Sequence, residues 1–523
     1  MTHPGLPYLW SVFVLLFMLV LSVWALYKQT ITNSAKSQEH KYIVLSNVKL
    51  LRPILKYINH SSWPLFSLKL IVLAFFILVI YAGLNGTQIP QNNIATVLTW
   101  NIWWAGLIVS IFFFSSSWCA VCPWDMLANL FVKPRFLNKY KFNNSLELTP
   151  PKWMRNVWPA LLMFIGLTWL ELGVGITTSP YWTALLSLFV VVLATLILAI
   201  FKNKAFCHYI CPVGRTVGFY SQLAPVELRP INNDVCSTCT TLDCYNGTDT
   251  VDACPTQLVM GNLTQNTYCT SCGNCVKSCP EDNISWRLRP QSHEAINSAR
   301  PRWDEAWFML CLLSLTIFHG VTMMEFWEGW ISKYAQLAGD SGQLLTSFTL
   351  GLILSILFPI GLYSIAVLLT KVISVKHINF RKIFTSMAFV TLPLAFSYHL
   401  AHNLNHMIRE SVGASKLFFN PLGIGDSTPS LSDNLLKQYN MIISQDVLFM
   451  IQALLMMFGF WIAIKVLRYR SYKLFLNTRI SILPVLVFMF VVNSFNLWML
   501  SQPMMMRLGM CIAPDLTVNQ AGI

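Results

Sequence analysis

The sequence predicts an all-α polytopic membrane protein with a cysteine-rich insert. Three observations carry this. Of 523 residues, 55% are hydrophobic and only 11% charged, whereas soluble domains carry about 25% charged residues. Ten apolar runs each approach the roughly 20 residues needed to cross a bilayer. Twelve of the 14 cysteines fall in closely spaced groups, which points to ligation rather than to disulfides. The net charge of +14 does not indicate nucleic acid, because the Lys and Arg residues gather in particular loops between apolar spans. That is the pattern of cytoplasmic loops.

The ten expected helices cover 8–27, 68–86, 95–116, 158–175, 181–201, 306–324, 345–370, 384–402, 446–466 and 480–502. The first is read as a retained span, because Met1 to Tyr8 contains no Lys or Arg and a signal peptide needs a basic n-region. Lys28, Lys36, Lys41, Lys49, Arg52 and Lys56 follow it. Loops 87–94 and 176–180 carry no charge, and 325–344 holds Glu325, Glu328 and Asp340 against one Lys. Loops 117–157, 202–305, 371–383 and 467–479 are basic. Every second loop is thus basic, which places both termini in the periplasm and the cysteine-rich insert in the cytoplasm of an inner-membrane protein. The expected domains are a five-helix membrane domain over 1–201, the insert over 202–305, and a second five-helix membrane domain over 306–523.

Within the insert, Cys269, Cys272, Cys275 and Cys279-Pro280 follow the bacterial ferredoxin spacing Cys-x2-Cys-x2-Cys-x3-Cys-Pro. A zinc knuckle would pair two Cys-x2-Cys or Cys/His sets instead. A second, looser run is Cys236, Cys239, Cys244 and Cys254-Pro255. In two-cluster ferredoxins the fourth Cys of each run ligates the other cluster. This predicts one [4Fe–4S] cluster on Cys236, Cys239, Cys244 and Cys279, and a second on Cys269, Cys272, Cys275 and Cys254. The insert is therefore read as a bacterial-type two-cluster ferredoxin module, folded more by ligation than by a hydrophobic core.

Two further pairs lie at helix ends. Cys119 and Cys122-Pro123 follow the third span, and Cys207 and Cys211-Pro212 follow the fifth. Four thiolates in one interfacial layer suit a third iron–sulfur cluster; structural thiols or a redox dithiol in each pair are the alternative. Cys311 and Cys511 stand alone and are read as ordinary buried or free thiols. The stretches "WCAVCPWD" and "FCHYICPVGR" at helix ends, followed by a ferredoxin module, resemble the NapH/NosR-type membrane polyferredoxins over roughly residues 68–290. The cytochrome oxidase accessory protein CcoG is a more distant likeness. The resemblance implies electron transfer between a quinol or cytoplasmic donor and a periplasmic acceptor. The five C-terminal helices have no counterpart in the short NapH-like form.

Those helices carry a histidine set. His399, His402 and His406 fall within about 60° of one another on a helix, and His319 lies at similar depth near the end of the sixth span. Ionisable residues inside spans are usually functional. Two readings stand side by side: axial ligation of a b-type haem, with Arg409 near a propionate, or a copper or zinc site. Met323, Met324, Met407 and the run around Met504 supply thioethers on the same side. His208 is read as tuning a cluster or as merely interfacial. Glu171 and Asp446 are read as helix-terminus carboxylates, with proton relay as the functional alternative. The expected function is electron transfer through the clusters toward the periplasm. A protein that uses its clusters to reduce copper or iron for transport or enzyme maturation is the alternative. No nucleotide fingerprint or nucleophile–base pair stands out.

Overall fold

In the computed structural model, the described residues are 2–27, 42–136, 140–141, 143–340, 346–374, 377–430, 440–475 and 480–505. Lys28, Lys36, Lys41, Cys511 and the methionines that follow Met505 lie outside them. Ten apolar helices form in the expected order: α1 (Tyr8–Tyr27), α2 (Trp63–Asn85), α3 (Ile94–Phe114), α4 (Trp158–Val174), α5 (Pro180–Ile200), α6 (Trp303–Val321), α7 (Thr346–Ile373), α8 (Phe380–Glu410), α9 (Gln445–Phe475) and α10 (Ile480–Ser501). Among the described residues, nine are long and apolar enough to cross a membrane, and α4 is shorter. The last turn of α4, Leu170–Val174, is a π-helix that ends at Gly175, whose φ of 77° is the left-handed conformation only glycine adopts without strain. A second π-helix, Val97–Trp103, interrupts α3.

The eighth span runs past the expected 384–402 to Glu410. The polar residues Asn403, Asn405, His406 and Arg409 lower the hydropathy there, but each is buried, so protein rather than lipid surrounds them. Helix α8 is enclosed on all sides, packing against α3, α6, α9 and α10. Its approach to α9 requires Gly459, where a Cβ would fall 2.0 Å from Ser397 Oγ. Small residues at such crossings let helix backbones come together.

The cysteine module is built on a three-stranded antiparallel sheet with Ile284–Leu288 in the middle. Val226–Pro230 lies on one side, in register from Val226↔Leu288 to Pro230↔Ile284. On the other side lies Ile43–Val44, so the segment after α1 contributes a strand to the module expected over 202–305. Under the sheet is a buried charge network. Glu294 pairs with Arg289 and with Arg229 (2.7 Å), and Glu227 pairs with Arg289 (2.8 Å) and Arg287 (2.7 Å). Burial works against charge on Glu227, but Arg289, Arg229 and Arg287 outweigh it and hold its carboxyl below the ordinary range. The module thus has an internal frame besides its cysteines.

At the N-terminus, Thr2–His3 pairs antiparallel with Met504–Met505, and Leu6 N–H donates to Leu500 O at 2.7 Å. This tether brings His3 to the end of α8, where its Nε2 lies 3.2 Å from Glu410 Oε1.

Candidate functional site

The twelve clustered cysteines gather into three groups of four. As free thiols, members of a group raise or feel one another electrostatically, which requires proximity. Cys236 is influenced by Cys279 and Cys239, and Cys244 by Cys236, Cys239 and Cys279. Cys269 is influenced by Cys272 and Cys254, and Cys275 by Cys272, Cys269 and Cys254. These neighbours include Cys279 and Cys254, the residues the ferredoxin spacing would cross between the two runs. Cys119, Cys122, Cys207 and Cys211 form the third set, with Cys211 acting on each of the other three.

Neighbouring sets also feel each other. Cys275 is influenced by Cys244, and Cys119 by Cys269. The order is therefore the Cys236 set, the Cys269 set, then the helix-end pairs. The first set lies at the surface, with Ser237, Thr238 and Thr240 exposed around Cys239. The last is more enclosed, with Cys211 buried and the other three half-buried; burial first, and then the Cys211 thiol, pushes the Cys119 thiol up to about 12. Burial likewise lifts Cys269 to about 11.

Backbone and amide donors aim at the sulfurs. Gly214 N–H approaches Cys211 Sγ (3.3 Å), Leu258 N–H approaches Cys254 Sγ (3.3 Å), and Ser271 N–H approaches Cys269 Sγ (3.4 Å). Asn283 serves the first set twice, with its N–H toward Cys279 Sγ (3.4 Å) and its side-chain amide toward Cys236 Sγ (3.5 Å). Donors of this kind stabilise thiolate and are one lever on cluster potential. Among the described residues no three His, Cys, Asp or Glu side chains meet around a single-ion site. A cubane asks for something else, four thiolates each on its own iron, and the three sets supply that donor chemistry.

The Cys269 loop is docked on the helix that follows Cys211. Helix Pro212–Tyr220 is buried except at Val213, and its Arg215 Nη1 donates to Thr267 O at 2.9 Å and Nη2 to Cys207 O at 3.2 Å. A Cβ at Gly218 would fall 2.0 Å from Thr267 O, so only glycine permits this approach. Ser116 and Ser271 hydroxyls meet at 2.8 Å beneath the same junction. Beside Cys207, Lys204 Nζ pairs with Asp125 at 2.5 Å. Burial disfavours the ammonium, yet Asp125 and then Cys207 outweigh it and raise the Lys204 pKa. Sequence reading did not single out Lys204, Asp125, Arg215 or Gly218. The motif "CPWD" contained Asp125, but its partner lies 79 positions away.

His208 stacks on Tyr209, with ring centroids 4.1 Å apart, and lies against Tyr268 at 5.0 Å. Burial first, then Arg215 and Arg302, pushes its pKa down to about 3, so its ring is neutral.

The remaining histidines divide. His399 turns toward Tyr220 Oη (3.2 Å, at Nδ1) and Trp104. His319, His402 and His406 come together in a row. Ring centroids are 5.3 Å apart for His319 and His402, and 4.8 Å for His402 and His406. His3, which sequence reading missed, extends the row 5.3 Å beyond His406. Glu171 lies 4.0 Å from His319 at one end, and Glu410 meets His3 at the other. These rings meet one another edge-on or tilted, and among the described residues they form no single-ion site; the expected b-type haem and the expected copper or zinc gain no support from the geometry. Arg409 donates from Nε to Asn405 (2.7 Å). Cys311 is simply buried in the core.

Residues 96–137 and 183–224 match a 4Fe-4S binding domain. These two segments contain Cys119 and Cys122, and Cys207 and Cys211, respectively. The match therefore falls on the helix-end pairs and supports iron–sulfur binding by the chain. Among curated proteins, YccM of Escherichia coli, a candidate electron transport protein, is 34% identical over 87 residues, 16% of this chain and 22% of YccM. An uncharacterized protein of Methanocaldococcus jannaschii is 24% identical over 247 residues, 46% of this chain and 89% of that protein. The chain thus spans about a fifth of YccM and most of the archaeal protein. No solved structure matches it. Fold and matches together describe a chain of membrane-length helices carrying 4Fe-4S binding segments.

Proposed function

We propose that this chain is a membrane-bound electron-transfer protein that holds three [4Fe–4S] clusters in series. The observation that supports it is the succession of three four-cysteine sets from an exposed module edge to a buried layer at the helix ends. Bound clusters would supply one-electron transfer. Cys236, Cys239, Cys244 and Cys279 would hold the cluster nearest solvent, Cys254, Cys269, Cys272 and Cys275 the middle one, and Cys119, Cys122, Cys207 and Cys211 the membrane one. Arg215 and Gly218 fix the distance between the last two sets by clamping Thr267. Arg215 places positive charge beside Cys119 and Cys211, which offsets the charge a loaded site gathers. The helix-end set, half-buried at Cys119, Cys122 and Cys207 and buried at Cys211, is the more enclosed, while the exposed surround of Cys239 admits a donor.

The basic loops imply that the module faces the cytoplasm. The donor is then a cytoplasmic reductant or membrane quinol, and an acceptor across the membrane takes a further redox centre beyond these three, because the hydrocarbon core is about 30 Å thick. The match to YccM, a candidate electron transport protein, supports electron transfer as such, and the direction follows from the resemblance to NapH/NosR-type proteins and the basic loops. The test is transfer across a bilayer. Loaded protein in vesicles with entrapped ferricyanide receives dithionite outside. Ferricyanide bleaching that depends on the protein is expected. Clusters that reduce fully while ferricyanide bleaches no faster than in empty vesicles would overturn the transmembrane route.

A further inference from the structure

A cleft of about 640 Å³ opens between the start of α4, the start of α6 and the start of α8. It lies at the end of the bundle that carries the cysteine module, because Arg302 on its wall also reaches Glu305 (3.8 Å), which accepts from Tyr268 beside Cys269. Its walls include Trp158, Arg302, Trp303, Asp304, Arg381 and Lys382. Three cations therefore face one carboxylate. That carboxylate is already engaged: Asp304 Oδ2 accepts from Arg302 Nη2 and from Val157 N–H, each at 3.2 Å. Among the described residues no carboxylate lies within ion-pair distance of Arg381 or Lys382, and both are exposed. The Arg381 guanidinium lies over the Trp303 ring, 5.3 Å from its centroid. Trp303 and Trp158 both neighbour Trp307.

We propose that this cleft binds the phosphate head group of an anionic phospholipid. Tryptophans collect at head-group depth, and basic pockets between spanning helices take anionic head groups. Here the apolar side is ready, since the exposed Trp158 at the start of α4 borders the opening. Arg381 and Lys382 hold the phosphate, and Arg302, shared with Glu305, ties the occupied cleft to the root of the module. The inference rests only on the helices crossing a membrane, and it stands whether or not the clusters carry electrons across it.

The experiment is native mass spectrometry of delipidated full-length protein titrated with dioleoyl phosphatidylglycerol, dioleoyl phosphatidylcholine or inorganic phosphate. A saturable phosphatidylglycerol adduct is expected, weakened about tenfold in R381Q/K382Q and unchanged in K333Q, an exposed lysine on the far side of α6. Both substituted residues are exposed, so folding is kept, and matching circular dichroism confirms it. The proposal is overturned if phosphatidylcholine binds equally, if the double variant binds as tightly as the parent, or if millimolar inorganic phosphate alone displaces the lipid. That last result would make the cleft a site for a free phosphate anion.

Discussion

Replacing Cys122 with alanine will lower the iron content from about 12 to about 8 per chain and stop delivery of electrons beyond the module. The expectation follows from the geometry of the third set. Cys122 feels Cys211 and Cys119 directly, and a cubane that loses one of four thiolates in a buried layer has no water-exposed replacement to recruit. The module is untouched, because its eight ligands and their N–H donors lie on other segments. Two cluster signals should therefore remain while entrapped ferricyanide stays unreduced. Iron and acid-labile sulfide assays on anaerobically isolated protein check the first part, and the vesicle assay checks the second. Full iron content in the variant would mean that the helix-end pairs are structural thiols.

Glu294→Ala will cost about 3–5 kcal/mol, the expected effect of stranding a buried charge. Arg229 and Arg289 are almost fully buried and share Glu294 between them, and Asn266 N–H donates to its second oxygen at 2.7 Å. Removing it leaves Glu227 to serve three arginines. Asn266 immediately precedes the loop that carries Cys269, so the loss should be visible as bleaching of the iron–sulfur absorbance at a lower temperature. Glu147→Ala is the control. Its partner Lys133 is an exposed pair at 2.6 Å, worth at most about 1 kcal/mol. Equal melting of the two variants would show that the network beneath the sheet does not frame the module.

Much of this was legible in the sequence, for physical reasons. Membrane spans are long apolar runs, so a ruler of about 20 residues finds α1 to α7 and α10 within a few residues, while α9 runs on to Phe475. It fails where the surroundings are protein rather than lipid. The polar end of α8, with Asn403, His406 and Arg409, is helical because neighbouring helices cover it. The crossed cysteine sets are what ferredoxin spacing encodes, with nine residues between Cys244 and Cys254. The helix-end pairs were ambiguous in sequence, since Cys119 and Cys207 are 88 positions apart and only folding joins them. His3 was invisible: nothing near residue 3 signals that a two-residue strand against Met504–Met505 carries it to Glu410. The haem and metal readings of the histidines came from helical phase and depth in the spans, which place residues on one face without saying how far apart their rings lie.

The central claim is that three cubanes occupy the chain in series. It is tested most directly by iron and acid-labile sulfide per chain, together with electron paramagnetic resonance of the dithionite-reduced protein. About 12 of each, with spectra broadened by spin coupling between neighbouring clusters, is the predicted result. About eight of each, unchanged in Cys122→Ala, would contradict it.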